Sequence, residues 1–333
     1  MKPIIIAEAG INHNGDIKIA KDLISVAFEA GADIIKFQTF RADKLVTQSA
    51  TKANYQLSVT STNETQYEML KKLELSDEMH HELLAASKKL GIEFCSTPFD
   101  IESLDYLMNL GIERLKIPSS EITNLPYLLE VGSKSKPIIL STGMSTMLEV
   151  QTAIDTLISA GAKKNSITVL QCTTEYPAPM KEVNLNAMIT MREQLNISTG
   201  LSDHSNGIEV AIAAAAMGAS IIEKHFTLDK NLPGPDHLAS ASPDELAKMI
   251  KSIRNIELAM GDGIKQPTHS EKKNILIARK SIVAVSKISE GEIFNESNIT
   301  IKRPGTGLSP MLYEEVIGKR SPKDFLPDDL IEI

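Results

Sequence analysis

The feature that most constrains the fold is the alternation of short apolar runs with helix-like segments along most of the chain. The helix-like segments carry apolar residues three or four positions apart, as at Ile19, Leu23 and Val26. The apolar runs predict strands at 3–7, 33–37, 93–96, 114–117, 137–140, 167–171, 198–201 and 220–224. Such alternating units, repeated eight times over about 260 residues, predict an α/β fold of the (β/α)8 TIM-barrel type.

An open, doubly wound parallel sheet is the competing prediction from the same alternation. Such a sheet usually has a glycine-rich phosphate-binding loop after its first strand. Here the first strand is followed by Glu-Ala-Gly-Ile-Asn-His at 8–13, which lacks that pattern. Gly91 and Gly111, at the ends of two helix-like segments, are typical of helices that turn back into a buried strand. The barrel is therefore the favoured fold.

Two domains are predicted. Residues 1–262 would form the barrel, 263–277 a polar linker, and 278–333 a small, mostly β domain with short strands at 281–285 and 298–301. A domain of this size builds only a weak core, so we expect it to dock on a barrel or on a second subunit.

A long connection from 38 to 93 interrupts the barrel pattern. It contains a polar stretch at about 47–63 and two helix-like segments at about 64–72 and 76–89. Long loops that follow barrel strands lie over the mouth of the active site. The connection is therefore predicted to be a substrate lid.

Charge and composition exclude several classes of partner. The net charge of −8 gives no reason to expect nucleic acid or an anionic membrane. The most apolar helix-like segment, 208–217, is too short to span a membrane, and the first apolar run is too short for a signal peptide. Cys95 and Cys172 form no disulfide framework and are interpreted as small core residues. These observations predict a cytoplasmic protein.

Polar side chains follow every predicted strand, at the end where barrel enzymes carry their chemistry. Lys36 and Lys116 lie in strands that otherwise consist of apolar residues. Because buried lysines are costly unless paired, two of them near serine and threonine hydroxyls indicate a site for a small, multiply charged anion. Two alternatives remain: each lysine pairs with a strand-end carboxylate such as Glu8 or Glu223, or Lys36 forms a Schiff base.

Two histidines, His204 and His225, end apolar runs in neighbouring predicted strands, so their imidazoles would emerge at the same end of the sheet. Two neutral imidazoles can bind a divalent transition metal and leave positions for water and substrate. Hydrogen-bonded structural histidines are the alternative. The loop residues His13 and His237 are interpreted as substrate contacts or structural residues, with metal binding left open. Asp236, in the same loop as His237, suits recognition of sugar hydroxyls, and a solvated turn residue is the alternative.

Several segments match the motifs of one known family. They are AEAGINHNG at 7–15, KFQTF at 36–40, STPFD at 96–100, KIPS at 116–119, LSTGM at 140–144, EYPAP at 175–179, GLSDH at 200–204, EKHFT at 223–227, GPDH at 234–237 and KRPGTG at 302–307. With these motifs, essentially the whole chain resembles the bacterial sialic acid synthases. These are phosphoenolpyruvate-condensing enzymes that end in a small antifreeze-like (SAF) domain.

The resemblance implies that phosphoenolpyruvate condenses with the open-chain aldehyde of an N-acylated hexosamine, giving a nine-carbon 2-keto acid and phosphate. A divalent metal, Mn²⁺ with Mg²⁺ or Co²⁺ as alternatives, would be held by His204 and His225 and would polarise the aldehyde. The residues implied to bind phosphoenolpyruvate are Lys36, Thr97, Lys116, Ser119, Ser141, Thr174 and Ser202. At Thr174 some family members have asparagine, and a hydroxyl replaces only one of the two hydrogen bonds of that amide.

Further roles follow from the same resemblance. Glu8 would orient metal-bound water or a sugar hydroxyl, and Glu121 is the candidate general base. The residues implied to bind the sugar are Gln38, Tyr176, Asp236 and Arg303, the last from the partner subunit. Because the SAF domain of this family caps the partner's barrel, the resemblance implies a domain-swapped homodimer. An exposed arginine on a solvated domain is the alternative for Arg303.

The leading functional hypothesis is an N-acetylneuraminate synthase acting on N-acetylmannosamine. The runner-up is an N,N′-diacetyllegionaminate synthase. Its sugar, 2,4-diacetamido-2,4,6-trideoxymannose, lacks the 6-hydroxyl and bears a second acetamido group at C4. Both types of synthase share the motifs above. A non-catalytic carbohydrate-binding protein and a metal-dependent barrel hydrolase are more distant alternatives.

Overall fold

The computed structural model describes residues 2–57, 60 and 64–333, and the chain divides into two compact units, Met1–Gly261 and Asp262–Ile333. The larger unit contains the predicted parallel strands: β1 (Ile4–Gly10), β2 (Ile34–Thr39), β3 (Glu93–Pro98), β4 (Leu115–Ile117), β5 (Ile138–Ser141), β6 (Ile167–Cys172), β7 (Ser198–Asp203) and β8 (Ile221–His225). Their hydrogen-bonded order is β3-β2-β1-β8-β7-β6-β5-β4. Because β3 also packs beside β4, the sheet forms a nearly closed barrel, as predicted.

Helices separate the strands and cover the outside of the barrel. They are α1 (Ile17–Glu29), α2 (Ala42–Leu45), α3 (Asn54–Leu57), α4 (Gln66–Lys71), α5 (Asp77–Leu90), α6 (Ile101–Leu110), α7 (Leu125–Ser133), α8 (Met147–Ser159), α9 (Asn186–Leu195), α10 (Glu209–Ala216) and α11 (Pro243–Met260). Asp16 caps α1 by accepting from two backbone N–H groups of its first turn. Gly91 and Gly111 follow α5 and α6 at φ values of 81° and 85°, a left-handed conformation that favours glycine. This confirms their interpretation as helix C-caps.

The inside of the barrel changes from apolar to charged along the strand direction. Near the amino-terminal ends of the strands, one apolar layer fills the interior, consisting of Ile6, Ile34, Cys95, Ile139, Leu170 and Ile221. Two residues further along their strands, Glu8, Lys36 and Glu223 point to the same interior because side chains alternate faces. All three are buried. The barrel therefore has an apolar base below a charged layer.

The connection between β2 and β3 forms a small subdomain of α2, α3 and α4 before α5 returns to the barrel wall. Its apolar cluster consists of Ile11, Phe40, Ala42, Met69, Leu70 and Leu73. The backbone N–H of Ala42 donates to Glu74 Oε1 at 2.7 Å, which anchors α2 to the segment that follows α4. Part of the polar stretch predicted at 47–63 lies outside the described residues. The helices predicted at 64–72 and 76–89 correspond to α4 and α5.

The smaller unit contains α12 (His269–Ala278), β9 (Ser281–Ala284), β10 (Ile299–Lys302) and α13 (Tyr313–Val316). The strands β9 and β10 pair antiparallel, close to the two predicted short strands. Its core includes Ile282, Phe294 and Phe325. The stretch predicted as a polar linker, 263–277, contains most of α12. In the described part of the chain, no helix is long and apolar enough to cross a membrane.

Candidate active site

A cavity of about 640 Å³ opens at the carboxyl ends of the barrel strands. The predicted site residues that line it are Glu8, Lys36, Gln38, Thr97, Lys116, Ser119, Glu121, Ser141, Thr174, Tyr176, Ser202, His204, His225 and Asp236. The remaining one, Arg303, belongs to the smaller unit, where it is exposed and its Nε donates to the carbonyl of Ala278 at 3.1 Å. The cavity thus brings together the predicted site of the larger unit. The insertion of Arg303 into a partner's site stays a prediction.

Lys36 occupies the centre of the cavity floor. Its Nζ lies 2.8 Å from Glu8 Oε2 and 3.7 Å from Glu223 Oε2. It also donates to Thr97 Oγ1 at 2.8 Å. Carboxylate pairing, which the sequence left open, is therefore present.

Lys116 completes the floor. Its Nζ donates to Ser141 Oγ at 2.7 Å and lies 3.7 Å from Glu223 Oε1. Glu223 thus faces both lysines, and its Oε1 also accepts from Ser202 Oγ at 2.8 Å. Two carboxylates and two hydroxyls hold the two ammonium groups in place.

The two carboxylates of the floor have opposite pKa shifts. Burial raises the pKa of Glu8 to about 7, an effect that Lys36 only partly offsets. Burial also acts to raise the pKa of Glu223, but Lys116 and Lys36 outweigh it and lower that pKa to about 2. Near neutral pH, Glu223 is therefore charged while Glu8 is partly protonated. The floor then has two ammonium ions but less than two full negative charges. Because the excess positive charge is buried, an added anion is favoured.

Glu223 is the main member of this floor that the sequence prediction did not assign to the site. It lies two residues before His225 on β8, so the alternation of side chains places both on the inner face. Cys172 was also not assigned to the site by the sequence prediction. It lines the cavity, and its Sγ lies 3.8 Å from His204 Nδ1. Cys95 is a core residue in the apolar layer, as predicted.

Hydroxyl groups line the side of the cavity formed by β4, β5 and β6. Ser119 Oγ accepts from the N–H of Gly143 at 2.9 Å, and Thr174 Oγ1 is buried without a hydrogen-bond partner. A Cβ at Gly143 would lie only 2.0 Å from Thr174 Oγ1. Glycine is therefore required for this close approach, which leaves the Thr174 hydroxyl available for a ligand.

His204 and His225 lie side by side with their ring centroids 5.3 Å apart. His204 Nδ1 lies 2.7 Å from the carbonyl oxygen of Thr173 and must donate to it, so Nε2 carries the lone pair when the ring is neutral. His225 Nδ1 is buried without a hydrogen-bond partner and lies 3.8 Å from Asp236 Oδ2. Burial, followed by the neighbouring His204, lowers the pKa of His225 well below its usual value, so this ring is neutral.

This donor set fits a divalent transition metal. Two imidazoles with available lone pairs, beside a carboxylate, are ligands that such metals prefer. Among the residues that the structure describes, no group of three or more His, Cys, Asp or Glu is arranged to hold a metal ion. A metal bound by His204 and His225 would accordingly keep positions for water or substrate.

The wall around these histidines carries the residues predicted to contact the sugar. The Tyr176 ring lies 4.2 Å from that of His204, centroid to centroid. Gln38 Nε2 donates to Glu8 Oε1 at 3.4 Å, and burial raises the pKa of Asp236 to about 6. These groups supply an aromatic face, an amide and a carboxyl to one side of the cavity.

The remaining predicted residues have different surroundings. Glu121 lines the cavity, with its Oε2 accepting from Asn124 Nδ2 at 2.6 Å. His13 is fully buried, and its Nδ1 accepts from the N–H of Gly15. His237 Nδ1 lies 2.7 Å from Thr227 Oγ1. Neither of these histidines is among the described residues that line the cavity, so the structural interpretation fits both.

A barrel with a buried cationic floor, a hydroxyl-lined side and two adjacent imidazoles defines an enzyme for a small anionic substrate. Comparison with known proteins identifies it further. The NeuB family model matches residues 23–265, and the SAF domain model matches residues 279–332. The chain belongs to the NeuB family, and it is a phosphoenolpyruvate-dependent synthase that forms a carbon–carbon bond. This confirms the resemblance to the sialic acid synthases and the SAF tail.

Two curated relatives cover nearly the whole chain. The N,N′-diacetyllegionaminic acid synthase of Campylobacter jejuni is 53% identical over 99% of both chains. That of Legionella pneumophila is 47% identical over 96% of this chain and 90% of the relative. A crystal structure of the N-acetylneuraminic acid synthetase from Leptospira borgpetersenii, in complex with citrate, is 34% identical, with a TM-score of 0.72 over 83% of this chain and 90% of that chain.

Proposed function

We propose that this protein is an N,N′-diacetyllegionaminate synthase. It condenses phosphoenolpyruvate with 2,4-diacetamido-2,4,6-trideoxymannose and water, and it releases phosphate. The observation that carries this choice of sugar is the 53% identity, over 99% of both chains, to a protein of that name. The sialic acid synthetase of known structure is only 34% identical. The comparisons therefore favour the runner-up of the sequence analysis over N-acetylneuraminate synthase.

Phosphoenolpyruvate binds across the cavity floor. Lys36 and Lys116 contribute two buried ammonium groups, and the paired carboxylates carry less than the matching negative charge near neutral pH. The hydroxyls of Ser119, Ser141 and Thr174 lie on the same side of the cavity and donate to phosphate or carboxylate oxygens. An anion with both a phosphate and a carboxylate uses both lysines at once.

The sugar lies above this floor with its open-chain aldehyde near the two histidines. A divalent metal, with Mn²⁺ as the first candidate and Mg²⁺ or Co²⁺ as alternatives, would be held by His204 and His225 and would supply Lewis-acid polarisation of the aldehyde. Asp236 and Tyr176 orient the chain of the sugar, since both line the cavity beside these histidines. The cavity floor and these sugar-binding residues hold C3 of phosphoenolpyruvate and the aldehyde carbon next to each other, and these two atoms form the new bond.

The reaction then proceeds in three steps. The enol carbon C3 of phosphoenolpyruvate attacks the aldehyde carbon, which leaves a cation at C2, and the aldehyde oxygen takes up a proton to become a hydroxyl. Water adds to C2, and the resulting tetrahedral intermediate loses phosphate by cleavage of the C–O bond. Glu8, with a pKa of about 7, is able to exchange a proton near neutral pH, and Glu121 is a second candidate for the general base that deprotonates water. Lys36 and Lys116 stabilise the departing phosphate.

Phosphate release from the purified protein tests this function. The protein is treated with EDTA, supplied with Mn²⁺, and incubated with phosphoenolpyruvate and either the diacetamido-trideoxy sugar or N-acetylmannosamine. We expect kcat/KM for the diacetamido sugar to be at least about tenfold higher, the discrimination that one or two apolar groups commonly provide. A higher value for N-acetylmannosamine would overturn the proposed sugar.

Omission of each reactant separates the more distant alternatives. A synthase releases phosphate only when phosphoenolpyruvate and the sugar are both present. Release from phosphoenolpyruvate alone would indicate a hydrolase. A carbohydrate-binding protein would release none and would bind the sugar equally well after His204→Ala, His225→Ala or Lys116→Ala.

A further inference from the structure

One wall of the cavity is made of hydrocarbon. Ile11, Phe40, Leu45, Val46 and Leu70 all line the cavity and belong to one apolar cluster, named here the apolar wall. They come from the loop after β1, the end of β2 and the helices α2 and α4. The part of the cavity proposed to bind phosphoenolpyruvate and the aldehyde is lined mainly by charged groups, hydroxyls and imidazoles. The site is therefore divided into a polar part and an apolar part.

The apolar wall is held in place by packing and by a backbone hydrogen bond. Phe40 and Leu70 are buried, and the Phe40 ring packs edge-on against Phe99 at 6.0 Å. Leu45 is the last residue of α2 and Val46 follows it, and both are half-buried. The Ala42–Glu74 hydrogen bond anchors the first residue of this helix. Substrate binding therefore requires little ordering of this surface, so its chemistry selects what it contacts.

A hydrocarbon surface favours methyl groups and disfavours hydroxyls. Removing a hydroxyl from water without a new hydrogen bond costs free energy, whereas removing a methyl group from water is favourable. N-Acetylmannosamine would place hydroxyls at C4 and C6, whereas the diacetamido-trideoxy sugar carries a second acetamido group at C4 and a methyl group at C6. Gln66, on α4 beside the wall, also lines the cavity and offers an amide to the added acetamido group.

We propose that the apolar wall is the surface that determines sugar specificity, by binding the C6 methyl group and the methyl of the C4 acetamido group. This inference rests on the proposed function, because it concerns the same sugar. Val46 and Leu45 are the specificity-determining positions that can be changed with least effect on folding, since both are only half-buried.

The test compares Val46→Thr with wild type on three sugars: the diacetamido-trideoxy sugar, N-acetylmannosamine, and the 6-deoxy form of N-acetylmannosamine. Valine and threonine have nearly the same shape, so the substitution replaces one methyl group with a hydroxyl. Leu45→Asn makes a similar change at the neighbouring position. Val26→Thr is the matched control, because Val26 is also half-buried but lies on α1, outside the cavity.

The measured quantity is kcat/KM for the 6-deoxy sugar divided by kcat/KM for the 6-hydroxy sugar. We expect Val46→Thr and Leu45→Asn each to lower it by about fourfold, which corresponds to the free energy of burying one methylene group. Val26→Thr should leave that ratio unchanged. A ratio that stays constant in both wall variants would overturn the inference while leaving the proposed function intact. A wild-type preference for N-acetylmannosamine over the diacetamido sugar would instead overturn the proposed function. A misfolded variant would lose activity on all sugars and give no measurable ratio, and the other wall variant then decides the question.

Discussion

Lys36 Nζ lies 2.8 Å from Glu8 Oε2 inside the barrel, where the two side chains are 3% and 1% exposed. Their ion pair occupies the floor on which phosphoenolpyruvate is proposed to bind. The pKa of Glu8 is nevertheless raised to about 7, because burial outweighs the neighbouring ammonium group. Close to neutral pH, the pair therefore exists both with Glu8 ionised and with Glu8 protonated. A bound anion can then replace the Glu8 carboxylate as the partner of Lys36.

The raised pKa of Glu8 predicts a pH-dependent stability. Since the folded pKa lies above the unfolded one, the protonated side chain stabilises the fold at low pH, and this contribution is lost as the pH rises through about 7. Glu8→Gln removes the ionisation, so we expect its stability relative to wild type to increase by up to about 3 kcal/mol between pH 4.5 and 8. Urea unfolding in EDTA measures the difference. Parallel pH profiles for the two proteins would contradict the assignment.

Lys116→Met is predicted to abolish effective binding of phosphoenolpyruvate. The substitution removes one of the two buried ammonium groups, so Glu223 keeps only Lys36 as a cationic partner. Losing one partner of a buried charged contact costs about 2–5 kcal/mol, so we expect affinity for phosphoenolpyruvate to fall by at least about thirtyfold. Calorimetric titration without sugar measures this affinity directly. Lys251→Met, on the exposed face of α11, is the control and should bind normally.

Metal binding is predicted to depend on both imidazoles. His225→Ala removes one of the two proposed ligands and is expected to weaken Mn²⁺ binding by more than about a hundredfold, the upper range for loss of a supporting residue. The paramagnetic resonance signal of free Mn²⁺ during a titration reports binding without any need for activity. His81→Ala, an exposed histidine on α5, should bind like wild type. Equal affinity of the His225→Ala variant would remove this residue from the metal site.

Arg303 is predicted to act in the site of a partner subunit, and mixing experiments test this. Arg303→Ala and His225→Ala should each be inactive alone. If subunits exchange in a homodimer, a mixed dimer pairs the intact barrel of one chain with the intact arginine of the other, so about a quarter of wild-type activity should return. Refolding or prolonged incubation of the two variants together, followed by an assay of phosphate release, gives the measurement. No recovery after demonstrated subunit exchange would show that Arg303 does not act across the dimer.

Much of the fold was predictable because it depends on local patterns. Apolar runs at regular spacing identified the barrel strands, and glycines such as Gly91 and Gly111 marked helix ends because they favour a left-handed backbone conformation. The candidate site was predictable to the same extent, since polar residues at strand ends converge in a barrel. The predictions named Glu223 only as an alternative partner for the two lysines and gave it no role in the site, although it points inward like His225, two residues further along β8.

The sequence by itself determined the order of the elements, the family and the set of polar groups at the barrel mouth, because these follow from residue type and spacing along the chain. Only the tertiary structure decided which charges meet. Lys36 faces Glu8 from the next strand and Glu223 from the far side of β1. Because Glu223 also faces Lys116, the two lysines lower its pKa, whereas burial raises the pKa of Glu8. It also decided that Val46 and Leu70 share one wall of the cavity, since contacts between distant segments depend on packing rather than on local pattern.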